Sequence, residues 1–262
     1  MARVSAINYS ETLWSELYAG NTTTSICLQP AVVNVETSFE LAAQQRQRTV
    51  YRLDGGSGTD DNLAWLLARG YQVVAKGFSG RRAHSLAQQV SRWDPTGIDA
   101  YVGSVTPPMV FSQPVWVIVK KWRKQGQWRH AYYVTTLKLP SKQAFLHYYD
   151  LRGGAEVEQF REDKSGLFLS FRRKRSWNAQ KALIHLTDLA HNLLADFRFR
   201  ALRNSSFESW GLKRVVRDLL GMPGRIYLEG SQLRRIELQS SHPYARELLI
   251  CLRSYYEQPF GR

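Results

Sequence analysis

Apolar residues recur along this chain with two periods, and each change of period marks a change of architecture. Val4 to Asn8 alternates as a short strand does, and Pro30 to Gln47, with Val33, Phe39, Leu41, Ala42 and few breakers, predicts a helix. Thr49 to Leu53 predicts a strand that stops at Asp54. Behind it, Gly55-Gly56-Ser57-Gly58 predicts a tight turn, Thr59 or Asp60 a cap, and Asp61 to Arg69 a helix with Leu63, Leu66 and Leu67 on one face. Gly70 ends that helix and Tyr71 to Ala75 reads as a buried strand, so residues 49 to 75 form a β-α-β unit. Arg81 to Trp93 adds another helix.

Between Asp99 and Leu139 the period falls to two. Val115 to Trp122 and Trp128 to Leu137 flank a turn at Gln125-Gly126-Gln127 and predict a long hairpin, read as a β insertion. From Ser141 onward the pattern is helical, with Gly153-Gly154 predicted to interrupt it and a second helix over Ala155 to Lys164. Asn178 to Arg200 predicts a long amphipathic helix whose core face is Ala182, Leu183, Leu186, Leu189, Ala190, Leu193 and Phe197. A helix (Phe207 to Leu220), a short hairpin (Arg225 to Leu238) and a closing helix (Tyr244 to Tyr256) follow. No internal repeat is visible.

Charge changes this picture by locating a partner. Of 36 Lys+Arg and 22 Asp+Glu, residues 1 to 100 hold 9 of each, so the net charge of +14 lies wholly in residues 101 to 262. Such an excess favours a polyanion, DNA or RNA before an anionic membrane, and 8 Trp and 13 Tyr among the charges add stacking surfaces. Lys120, Lys121, Arg123, Lys124 and Arg129, beside Trp122 and Trp128, either face DNA or form a charged edge that blocks strand aggregation. Cys27 and Cys251 make neither a disulfide framework nor a metal spacing, and the longest apolar run, Val115 to Val119, is too short to span a bilayer. The expectation is a cytoplasmic, nucleoid-associated protein that does not enter membranes.

Asp54 is the first chemical candidate, because it ends a buried strand and glycines follow it; an acidic residue in that place also serves as an ordinary turn former. The glycine-rich loop lacks the Lys-Ser/Thr of a phosphate-binding loop. The second candidate set is Tyr149, Arg152 and Glu156, which i, i+3, i+7 spacing puts on one helical face, with Lys164 two turns further; by itself this reads as a helix with an Arg152–Glu156 ion pair. His130, His147, His185, His191 and His242 are scattered, and His191 and Asn192 are expected to be satisfied by neighbours. No serine stands in a nucleophile-elbow context.

The segment Tyr149-Asp150-Leu151-Arg152-Gly153-Gly154-Ala155-Glu156, followed by Lys164, resembles the Tyr-x2-Arg-x3-Glu-x6-Lys signature of insertion-sequence-4-type bacterial transposases. Arg52-Leu53-Asp54-Gly55-Gly56 and Tyr71-Gln72-Val73-Val74 resemble the strands around that family's second catalytic Asp, and Leu189-Ala190-His191-Asn192-Leu193-Leu194 the helix after its Glu. The resemblance covers roughly residues 45 to 200. It implies that Asp54 and Glu156 are catalytic carboxylates and metal ligands, that Tyr149, Arg152 and Lys164 contact transposon-end DNA, and that Mg²⁺ or Mn²⁺ is the cofactor. We add the run Arg172, Arg173, Lys174, Arg175 to the DNA-binding candidates on charge.

Three departures stand out. Lys164 is one residue beyond the usual spacing, with Asp163 in its place; Ser57 replaces a common aromatic; and residues 1 to 53 contain no Asp, although the family carries its first catalytic Asp on an opening strand. The resulting expectation is an α/β, ribonuclease H-like sheet with a β-rich insertion and a helical C-terminal extension, truncated at its N-terminus. Its parts are 1–98 (partial core with the second Asp), 99–140 (β insertion), 141–203 (helical return with the Glu) and 204–262 (small α+β extension). The implied function is DNA transposition by two-metal phosphoryl transfer, inactive in this chain alone. The alternative is a non-catalytic DNA-binding remnant or regulator; an RNA-binding protein is a third reading. DNA, as transposon ends and target, is the expected partner, with a homodimer or an assembly with full-length transposase beside it.

Overall fold

The structure, a computed structural model, describes residues 1–171 and 174–257; residues 152–158 lie in a helix and are described by their backbone alone. The chain divides into two units, Met1–Val4 with Tyr18–Gly154, and Ser5–Leu17 with Ala155–Arg262. In chain order the elements of the first part are β1 (Ala2–Ala6), β2 (Glu11–Glu16), α1 (Thr24–Ser38), α2 (Ala43–Arg48), β3 (Val50–Leu53), α3 (Asp60–Ala68), β4 (Gln72–Lys76), α4 (Gly80–Gln88), β5 (Asp94–Gly97), β6 (Ala100–Val105), β7 (Trp116–Lys124) and β8 (Gln127–Thr135). There follow α5 (Lys142–Gly166), α6 (Trp177–Phe197), α7 (Leu212–Arg214), β9 (Gly224–Glu229), β10 (Gln232–Leu238) and α8 (Ala245–Glu257).

The first unit is built on a six-stranded mixed sheet in the order β3-β4-β8-β7-β6-β5. β3 and β4 are parallel, as the β-α-β reading requires, and the other neighbours are antiparallel. Alternation decides what each face meets. Tyr51, Leu53, Val73, Ala75, Val117, Val119, Tyr132 and Val134 pack with Leu28 and Val32 of α1, Leu63, Leu66 and Leu67 of α3, and Ala83 and Leu86 of α4. The opposite face, with Val74, Val102, Ile118, Ala131 and Tyr133, packs with Phe145, Leu146 and Tyr149 of α5. Helices therefore cover both faces.

Several boundaries differ from expectation, for local reasons. The helix expected over Pro30 to Gln47 is two helices, because Glu40 adopts φ +49 and breaks the run between α1 and α2. α4 starts at a Ser79 cap and stops at Gln88, short of Trp93, to let β5 join the sheet. The opening strand lies over Ala2–Ala6, and β2, β5 and β6 were not foreseen. Gly153-Gly154 does not interrupt α5, which runs unbroken to Gly166; helical glycine costs only about 1 kcal/mol each relative to Ala.

The second unit has its own core of Leu202, Phe207, Trp210, Leu212, Val215, Leu219, Leu248 and Cys251. The helix expected over Phe207 to Leu220 starts only at Leu212 and continues as a π-helical turn over Val215–Leu220. One expectation is reversed: Leu186, Leu189 and Leu193 of α6 are 63%, 57% and 64% exposed, while the inward face is Ile184, Thr187, Asp188, His191, Leu194 and Ala195. The inward partner is the backbone of β2 and the turn before it, which needs polar groups rather than leucines. Asn192 Oδ1 accepts from Thr12 N (2.8 Å) while its Nδ2 donates to Thr12 O (2.8 Å), and Ser15 Oγ donates to Asp188.

Candidate active site

β3 ends at Asp54 in a turn that the carboxylate itself holds. Asp54 Oδ1 accepts from Ser57 N (3.1 Å), and its carbonyl accepts from Gly58 N (3.0 Å). The glycines serve close packing: a Cβ on Gly58 would stand 1.9 Å from the carbonyl oxygen of Lys76, and one on Gly56 would stand 2.4 Å from Thr24 Oγ1. The turn is pressed against the end of β4, so Asp54 and Lys76 finish parallel neighbours side by side.

The same alternation that sorts the core sorts the chemistry. Even-numbered positions of β3, β4 and β7 share the α5 face, so beyond Val74 and Ile118 that face continues into Asp54, Lys76, Lys120 and Trp122. These residues line a cleft of about 680 Å³ together with Arg123, Tyr133, Tyr149 and Asp150. Two carboxylates, three cations and three aromatic rings thus meet in one cleft of the first unit. Lys121 points the other way, its Nζ 4.2 Å from the Trp93 ring, 5.3 Å from Tyr101 and 5.4 Å from Trp128. The run of basic residues on the β7–β8 hairpin is therefore split between two faces. Lys76 was not singled out from sequence; it stands two residues beyond Val74 on a strand already recognised.

Of the candidates on α5, Tyr149 reaches the cleft. Tyr149 is buried, edge-on to Tyr133 with ring centres 4.8 Å apart, and Arg52 donates to the carbonyl of the preceding Tyr148 (3.1 Å). Arg152 and Glu156 continue the same helical backbone, and their side chains lie outside the described residues, as do Arg172 and Arg173 altogether. In the second unit Lys164 is exposed, while Asp163 beside it is fully buried against His191 (2.6 Å). Lys174, whose N donates to Gln180 Oε1 (2.8 Å), and Arg175 are exposed ahead of the Ser176 cap of α6. His191 is satisfied by its neighbours, since its Nε2 lies 2.7 Å from the carbonyl oxygen of Ser10.

Among the described residues no three His, Cys, Asp or Glu gather as a metal site. Asp54 and Asp150 are the carboxylates that line the cleft, and two carboxylates do not by themselves supply the bridging arrangement that a pair of ions requires.

A mixed sheet with helices on both faces, and a carboxylate ending one of its parallel strands, is consistent with the ribonuclease H-like DDE class of nucleic-acid phosphoryl-transfer domains. The sequence model of the family described as Transposase DDE domain group 1 matches residues 10–257, and the chain belongs to that family. No curated protein matches it significantly. Membership implies DNA transposition, with DNA as the partner and divalent metal ions as the usual cofactor. Among the described residues, no helix is long and apolar enough to cross a membrane.

Proposed function

We propose that this chain is an insertion-sequence-4-type transposase, in which Asp54 and Glu156 are the second and third catalytic carboxylates. Mg²⁺ or Mn²⁺ is its cofactor, and transposon ends and target DNA are its substrates. The observation that carries the reading is the cleft, where Asp54 and Tyr149 meet Lys76, Lys120 and Arg123. Phosphates meet the cations, and an unstacked base has Trp122 to lie against. Arg152 and Lys164 extend the DNA contacts along α5, and the Arg172, Arg173, Lys174, Arg175 run adds to them. The four-part division at residues 98, 140 and 203 goes with this reading, as does assembly into a homodimer or with a full-length enzyme.

On the same reading the first carboxylate is absent from this chain and catalysis fails without it. Two ions about 3.5–4 Å apart need a bridging ligand, and no Asp precedes position 54. Incubation with labelled end DNA and Mn²⁺ tests the proposal: the chain is expected to bind the DNA and leave it uncut. Cleavage that disappears in Asp54→Ala and Glu156→Ala would show the chain to be complete as an enzyme. Binding that is equal for every sequence and falls steeply with salt would favour a generic nucleic-acid binder.

A further inference from the structure

The β9–β10 hairpin of the second unit is an arm with one unsatisfied face. Its register pairs Ile226 with Ile236 and Leu228 with Leu233, so these four apolar residues share a face. The next pair on that face, Gly224 with Leu238, reaches the core, where Leu238 packs. Further out the apolar row continues uncovered: Ile226 is 67% and Leu228 63% exposed. The other face is closed on itself, since Tyr227 Oη donates to Glu237 (3.0 Å), Arg235 pairs with Glu237 (2.5 Å) and Arg234 with Glu229 (2.5 Å). Arg234 and Arg235 are thus engaged within the hairpin, while Arg225, opposite Glu237 in the register, is exposed. An uncovered two-stranded hairpin is also only marginally stable in water.

The same unit carries a second unpartnered apolar surface, the Leu186, Leu189, Leu193 stripe of α6, at i, i+3, i+7 on one helical face. The stripe rises about 10 Å along the helix. Two residues of strand cover about 7 Å between Ile226 and Leu228 before side chains are added, so wall and stripe match in length. We propose that two copies of this chain associate by exchanging the arm, the apolar face of each β9–β10 hairpin lying on the leucine stripe of the other copy's α6. Each contact covers five large side chains left more than half exposed, on the order of 100 Å² apiece. Two reciprocal contacts reach about 1,000 Å² of apolar surface, which with a polar rim attains the roughly 1,200–2,000 Å² of a specific interface. Exchange closes as a two-fold dimer and leaves neither surface exposed.

Light scattering on the full chain tests this, with one variant broken in the arm (Ile226→Asp with Leu228→Asp) and one in the stripe (Leu186→Asp with Leu189→Asp). All four positions are exposed, and circular dichroism confirms that each variant folds. The wild type is expected to dimerise, and each variant alone to weaken association by at least about tenfold. Mixing the two variants restores one of the two contacts, so the mixture associates more strongly than either alone. A wild type that stays monomeric up to about 100 μM, variants that dimerise normally, or a mixture no stronger than its components would overturn the exchange. So would loss of DNA affinity in the arm variant without change in mass, which would make the apolar face a DNA contact.

Discussion

Arg52 donates to the carbonyl of Tyr148 (3.1 Å) and lies over the Tyr148 ring (5.1 Å), so the strand that ends at Asp54 is tied to the helix that carries Tyr149. The tie joins two segments 96 residues apart in sequence. It is a charged donor on a helical carbonyl combined with a cation–π contact, each worth about 1 kcal/mol when partly shielded. Arg52→Ala is expected to lower stability by roughly 1–2 kcal/mol, and Arg52→Lys to recover only part of it because the planar stacking is lost. Urea unfolding checks this; a Lys variant as stable as the wild type would remove the role of geometry.

Lys76, Lys120 and Arg123 line the cleft, whereas Lys121 is held among Trp93, Tyr101 and Trp128 on the other face. Each cation that meets a phosphate contributes about one unit to the slope of log affinity against log salt. Replacing the three cleft cations by Ala is expected to weaken DNA binding and reduce that slope by up to about three. Lys121→Ala is expected to leave the slope alone and to destabilise the fold. Equal slope changes in Lys120→Ala and Lys121→Ala would contradict the division by strand face.

Glu36, a buried residue of α1, accepts hydrogen bonds from Arg69 and from Tyr71 Oη (2.8 Å). The Arg69 hydrogen bond holds its carboxyl below the ordinary 4.5 against the opposing effect of burial, with Tyr71 assisting. A carboxylate whose folded pKa lies below its unfolded one stabilises the fold fully above about pH 4.5, and that contribution is lost as pH falls through the folded value. Glu36→Gln should cost roughly 2 kcal/mol at pH 7 and flatten the acid limb of the stability curve. An unaltered pH dependence in the Gln variant would show that other carboxylates govern acid unfolding.

Much of the first unit was legible in sequence because its signals are local. The β3-α3-β4 unit announces itself through Thr59, the Leu63, Leu66, Leu67 face and Gly70, and the β7–β8 hairpin through strict alternation around Gly126. Asp54 could be placed at the end of β3 for the same reason. What periodicity cannot give is the direction of a helix's inward face when the partner is backbone. In α6 the leucine stripe looked like core, yet Asp188, His191 and Asn192 face inward to meet β2, a strand too polar to be recognised. The Lys121 cage was hidden too, since it depends on the β6–β7 register that pairs Tyr101 with Lys121.

Asp163 stands where the transposase resemblance expects a lysine, and its burial against His191 accounts for the substitution in physical terms. The ring of His191 has Asp163 Oδ1 at 2.6 Å from Nδ1 and the Ser10 carbonyl oxygen at 2.7 Å from Nε2. A carbonyl only accepts, so Nε2 carries a proton, and one further proton is shared between Nδ1 and the carboxylate. Removing the ring leaves a buried carboxylate without that partner, which typically costs about 3–5 kcal/mol. Asp163→Asn, by contrast, offers an amide N–H to a neutral imidazole and retains both contacts of the ring. His191→Ala is therefore expected to destabilise the second unit far more than Asp163→Asn, and the double variant Asp163→Asn with His191→Ala less than the sum of the singles. Urea unfolding of the three variants measures the coupling. A lysine at 163 should be the most damaging change of all, because its ammonium would face His191 in a site that excludes water; if Asp163→Lys folds as well as Asp163→Asn, the pair does not hold α5 to α6.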